Sequence, residues 1–195
     1  ELLIKRDTAK HSGNLDDVWV NPDKLPFQLT VADFDSEEAR SVVGRAAVVQ
    51  GGADSRLNHM PALCASMGVK YVFLTEYSLR TRWQIIDAET HARPVAWRRR
   101  IWAWWQERAN RAAAAAAAAV HCNGTPTFDA YKSLNGQTLL FFDNRVEAGM
   151  LPIRPRLLQR SEPWTQSDPI RLAFSGRLNR MKGADHLVRV AHALR

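Results

Sequence analysis

A chain of 195 residues, 46% hydrophobic and 24% charged, holds enough apolar material for a packed core and is too balanced for wholesale disorder. No apolar run approaches the roughly 18 to 20 residues a membrane span needs, and the opening Glu1 to Asp7 has neither the apolar length nor the cleavage pattern of a signal peptide. A net charge of +7 points to anionic partners, while Cys64 and Cys122, in unlike contexts, read as free buried thiols of a reducing cytoplasm rather than a disulfide or zinc framework.

In the first 26 residues, Val18-Trp19-Val20 reads as a short strand between turn-forming residues. Phe27 to Val31 predicts another strand, leading into Asp33, Asp35, Glu37 and Glu38. Ser36 or Asp35 is placed to cap a helical turn through Val43, and acids favour that end of a helix dipole, so the cluster reads as a helix start rather than a metal site. A clearer rhythm follows. Ala46 to Gln50 predicts a strand, Gly51 to Ser55 a turn and cap, Arg56 to Met67 a helix weakened by Pro61 and closed at Gly68, and Tyr71 to Leu74 a second strand. A strand-helix-strand crossover implies parallel neighbours. Ligands of open α/β sheets gather beyond the carboxyl ends of the strands, which puts Gly51, Gly52, Thr75, Glu76 and Tyr77 at the expected cleft edge.

Residues 94–119 combine Pro94, a Trp/Arg-rich stretch and eight alanines from Ala112 to Ala119, and predict one long helix with a break near Asn110. Trp97, Ile101, Trp104, Trp105 and Arg108 fall on one stripe, and six arginines between Arg93 and Arg111 face a single acid, Glu107. Three readings stay open. The tryptophans pack in the core with the arginines in water, or Trp97, Arg98, Arg99, Arg100 and Trp104 rest on an anionic membrane, or arginines contact phosphates while tryptophans stack on nucleic-acid bases.

Val120 to Asn123 predicts a strand, Thr125 a cap and Pro126 the start of a helix through Leu134. His121 and Cys122 are adjacent on a strand and point to opposite faces, against a nucleophile pair. Thr138 to Phe142 predicts a further strand, and residues 151–169, with prolines at 152, 155, 163 and 169, read as a linker. Finally, Ile170 to Phe174 is a buried-type strand running into Gly176-Arg177-Leu178, a loop carrying Arg180 and Lys182, and from Gly183 a helix with Ala184, Leu187, Val188, Ala191 and Leu194 on one face. Helix-start amides, close-approach glycines and fixed cations suit a phosphate or diphosphate.

The order strand, Gly176-Arg177-Leu178, Lys182-Gly183, amphipathic helix resembles the opening of the second domain of GT-B glycosyltransferases, in particular the retaining family 4, or group 1, type. The resemblance implies an α/β fold: a Rossmann-like parallel sheet with flanking helices over residues 1–150 as the acceptor-side domain, a linker at 151–169, and the start of a nucleotide-sugar-binding domain at 170–195. It implies that Gly176, Arg177, Lys182 and Gly183 meet the donor diphosphate, and that Asn123, Gly124 and Thr125 line the interdomain cleft with Gly51, Gly52 and Glu76. Glu76 is then a candidate for a sugar hydroxyl. The segment Asp143-Asn144-Arg145-Val146 matches loosely the Asn-Gly-Val-Asp-like stretch that precedes the family's domain crossover.

The implied partners are a nucleotide-diphosphate sugar, as substrate rather than cofactor, and a sugar or lipid-linked acceptor. The setting is cytoplasmic, with peripheral contact at an anionic inner membrane face and no nucleic acid expected. No residue is assigned a catalytic role and no metal set is expected. The family's paired-glutamate segment is expected beyond Arg195, so the chain by itself is expected not to turn over. The alternative from another class is a non-catalytic basic module that docks on a membrane or nucleic acid through residues 94–111.

Overall fold

A computed structural model describes residues 1–5, 21–143, 148–151, 173–174, 178 and 180–194. The chain is α/β. Strands β3 (Val48–Gly52), β4 (Lys70–Thr75), β5 (Ala119–Asn123) and β6 (Thr138–Phe141) form a four-stranded parallel sheet in sequence order. Strands β1 (Leu2–Ile4) and β2 (Leu29–Val31) form a separate parallel pair. Helix α1 (Glu37–Arg45) connects β2 to β3, α2 (Met60–Ser66) connects β3 to β4, and α5 (Thr125–Tyr131) connects β5 to β6. Between β4 and β5 lie two helices, α3 (Leu79–Glu89) and α4 (Arg93–Ala116), and α6 (Leu187–Ala193) closes the described chain.

Alternation along the strands decides which face is buried. Tyr71, Phe73 and Thr75 and, on the adjoining strand, Val120 and Cys122 are fully enclosed, packed with Val43, Met60, Cys64, Tyr131 and the alanines Ala113, Ala114 and Ala117. Val72, Leu74, His121 and Asn123 point the other way and are half-buried. Small side chains let α4 approach the sheet closely, so the alanine tract is core. Its last turn is held by Asn135, whose amide donates to the carbonyls of Ala114 at 3.0 Å and Ala117 at 2.7 Å, satisfying groups a helix end otherwise leaves open.

The cap at Ser36 forms as expected, its hydroxyl accepting the Ala39 N–H at 3.1 Å. Several expectations shift. The turn assigned to Gly51 and Gly52 is strand, and the expected helix from Arg56 divides into a short 3-10 turn (Ser55–Leu57) and α2, because Pro61 is accepted only in a helix's first turn. Thr125 is the first residue of α5 and caps nothing; Gly124 takes the cap position with φ 83° and ψ 156°, a region open essentially to glycine, and its N–H donates to Phe141 O at 2.9 Å. Helix α4 runs unbroken through Asn110, and α3, capped by Ser78, was not expected. Phe27 and Gln28 lie outside β2. In the last segment the α-helix begins only at Leu187, after 3-10 turns at Arg180–Lys182 and Ala184–His186. Ala173 and Phe174 carry no strand, while the strand at Val18-Trp19-Val20, the segment 144–146, most of the linker, Gly176 and Arg177 lie outside the described residues.

The largest correction concerns the tryptophans. The buried stripe of α4 is Ala103, Glu107, Asn110 and Ala114, whereas Trp97, Trp102 and Trp105 are 66%, 61% and 58% exposed. The reason is where α4 runs. Asn110 lies level with the carboxyl ends of β3 and β4, lining a cavity with Gly52, Leu74 and Glu76, and Ala118 N–H reaches Tyr71 O near the start of β4. Residues 93–110 therefore project past the sheet edge for roughly 25 Å, with none of the described strands beneath them. Helix α3 lies antiparallel along this projection: Arg82 pairs with Glu107, Trp83 Nε1–H donates to Arg100 O at 3.3 Å, and Arg99 reaches the Thr90 hydroxyl at 2.9 Å. The two helices make an arm.

Candidate cleft at the carboxyl edge of the sheet

Where the arm leaves the sheet, a cavity of about 280 Å³ opens at the ends of β3 and β4. Gly52, Asp54, Glu76 and Tyr77 form its rim, and Arg82 and Asn110 line it from the arm. Asp54 is fully engaged: it accepts from the Arg56 backbone N–H at 2.8 Å and from its guanidinium at 2.6 Å, and these bonds hold its carboxyl below the ordinary 3.8. Glu76 differs. Its carbonyl accepts from the Thr127 hydroxyl at 3.2 Å, fixing the loop to α5, and its carboxylate is exposed with no hydrogen bond among the described residues.

The arm's contribution rests on Glu107. This buried carboxylate accepts from Arg82 and from Tyr131 Oη at 3.0 Å, with Arg111 at 3.9 Å. Burial raises its affinity for a proton above the ordinary 4.5, with Arg82 and Tyr131 opposing, and burial also pushes the Tyr131 phenol well up. Two polar atoms around the cavity stay unmatched among the described residues: Arg82 Nε–H, a donor, and Asn110 Oδ1, an acceptor, both enclosed. Four further enclosed side-chain atoms among the described residues are unmatched as well, so the two mark a polar wall and do not by themselves define a ligand.

The structure brings Gly52 and Glu76 into this cavity and leaves other expected site residues elsewhere. Gly51 lines a second cavity, of about 460 Å³, with Leu2 and Leu3 of β1 and Val43. Asn123 is committed to structure, its side chain accepting the Asp143 N–H at 3.1 Å, and Gly124 and Thr125 turn beside it without lining the cleft. Lys182 is exposed and Gly183 adopts φ 76°, in a segment whose Arg180 reaches His91 at the tip of the arm and Asp185 at 3.3 Å. The tip stands at least one length of α3, about 16 Å, from the Glu76 loop. Trp97, Arg100 and Trp104 line an apolar cavity on the arm, and Arg98 and Arg99 flank Trp102 on another side.

Arg82 and Asn110 are functional candidates that the sequence reading passed over. A signal existed for Asn110, because Glu107 and Asn110, three apart, share a helix face with alanines, and two polar residues there need partners. Among the described residues no group of three or more His, Cys, Asp or Glu is placed to hold a metal, and no helix is long and apolar enough to cross a membrane.

Sheet and cleft together define an α/β protein with a Rossmann-like parallel sheet and a polar cavity at its carboxyl edge. No protein-family model, curated protein or solved structure matches the chain.

Proposed function

We propose that the chain is the acceptor-side part of a GT-B-type retaining glycosyltransferase that moves a sugar from a nucleotide-diphosphate donor to an acceptor hydroxyl. The observation that carries the reading is the polar cavity at the carboxyl edge of the sheet, whose wall includes Arg82 and Asn110, side chains of the kind that donate to and accept from sugar hydroxyls. The exposed Glu76 carboxylate adds an acceptor for further hydroxyls, and the Tyr77 ring, 45% exposed, offers a flat apolar wall of the kind sugar rings rest on. On the donor side, support comes from Gly176-Arg177-Leu178 and Lys182-Gly183. A departing diphosphate gains negative charge in the transition state, and fixed cations stabilise it where it develops.

Calorimetric titration with UDP, GDP and ADP tests the donor half. At least one should bind, and Arg177→Ala or Lys182→Ala should weaken it about tenfold, the worth of one charge-assisted hydrogen bond. If none binds, or both variants bind as the parent does, the donor role is lost.

A further inference from the structure

A second constellation lies on the other side of the arm's base. Arg80 of α3 and Arg108 and Arg111 of α4 line one cavity of about 630 Å³, with Trp104, Glu107 and Asp129. The two acids are already spoken for. Glu107 is held by Arg82 and Tyr131, and Asp129 by Lys132 at 2.6 Å. Arg111 is spent in part, donating to Ala130 O at 3.0 Å. Arg80 has no ion-pair partner among the described residues, and Arg108 rests 5.4 Å over the Trp104 ring. The cavity thus keeps excess positive charge beside an aromatic wall, with forked donors suited to phosphate.

Trp104 is shared. On its far side begins an apolar cavity of about 390 Å³ lined by Trp83, Trp97, Ile101 and Trp105. The two cavities follow one stripe of α4: positions 97, 101, 104 and 105 are apolar, and positions 108 and 111 are cationic. From Trp104, the stripe extends about 10 Å each way. A cationic seat continuous with an exposed apolar slot, on a projection clear of the sheet, is complementary to a molecule with an anionic head and an apolar tail.

We propose that the arm docks on a bilayer by taking the phosphate head of an anionic lipid between Arg80 and Arg108, with Trp97, Ile101 and Trp105 in the headgroup and acyl boundary. This binding does not depend on sugar transfer.

Flotation of the whole chain with phosphatidylcholine vesicles, with and without a minor fraction of phosphatidic acid, is the test. The protein should float only with the anionic vesicles. Arg80→Gln and Arg108→Gln should each weaken binding roughly fivefold, and Trp97→Ala or Trp105→Ala about tenfold. Arg108→Lys keeps the charge and should recover most of the loss from Arg108→Gln, and far-UV circular dichroism monitors folding. Equal flotation with neutral vesicles, or unchanged binding by both glutamine variants, overturns the proposal. So does capture of inorganic phosphate without vesicles that the tryptophan variants share undiminished, which identifies a free anion as the ligand. Preference for a single-stranded oligonucleotide over the anionic vesicles overturns it as well.

Discussion

Glu107 is the joint between arm and sheet, and replacing it tests whether the joint is energetic or incidental. Glu107→Ala leaves Arg82, whose side chain is only 20% exposed, without its counter-charge, and leaves the buried Tyr131 hydroxyl without its acceptor. Breaking a buried pair by removing one member costs about 3 to 5 kcal/mol; the low end applies here because Arg82 keeps some contact with water. The lost phenol hydrogen bond adds about 1 kcal/mol, for a total of about 4. With a urea slope of about 2 kcal/mol per M, the midpoint should fall by about 2 M. Glu107→Gln retains an acceptor for Tyr131 and loses only the charge, so its midpoint should fall by less than half as much. Tyr131→Phe, removing the hydroxyl alone, should cost about 1 kcal/mol. A Glu107→Ala midpoint within about 0.5 M of the parent would mean that Glu107 behaves as a surface ion pair and that the arm is not anchored there.

Gly124→Ala should destabilise by about 1 to 3 kcal/mol in the same urea titration, because φ 83° with ψ 156° is closed to a side chain. Among the described residues a Cβ there meets Pro126 Cδ at 3.8 Å, an ordinary contact, so the cost is conformational, and an unchanged midpoint would refute it. Alkaline stability follows from the core thiol and phenols. Burial pushes the Cys122 thiol from 9.0 up to about 11 and raises Tyr71 and Tyr131 in the same direction. The unfolded chain therefore releases these protons first, so the thiol's contribution is intact below pH 9 and is lost as pH rises from about 9 through 11, while the phenols' contribution begins to be lost only above pH 10. Melting temperature should fall across that window, and Cys122→Ser should flatten the decline; a flat profile in the parent would contradict the burial.

Much of the framework was legible because its signals are local. Ser36, Gly68 and the apolar run at Tyr71 to Leu74 each state a cap, a stop or a strand within a few residues, and β3-α2-β4 follows from them. The arm was not legible in this way. A stripe of Trp97, Ile101, Trp104 and Trp105 has the helical period of a core face, but periodicity says only that the residues lie together, not that anything covers them. The stripe that is buried contains Glu107 and Asn110, which carry no hydrophobic signal at all; Arg82 and Tyr131, 25 and 24 residues away, make that burial tolerable for Glu107. In the cleft, Gly52 and Glu76 could be anticipated from the rule that ligands gather at strand ends. Asn110 left a signal only as a polar neighbour of Glu107 on an alanine face, and Arg82 left none, since both reach the site from helices whose path depends on tertiary packing.

Helix α4 is one continuous rod with two attachments of different character: its alanine half packs on the sheet, and its tryptophan half is held, among the described residues, by α3. Because the helix is continuous, tilting its tryptophan half must either bend it or disturb the core packing of Ala113 and Ala114. The close fit of two alanines thus holds the direction in which four tryptophans are presented.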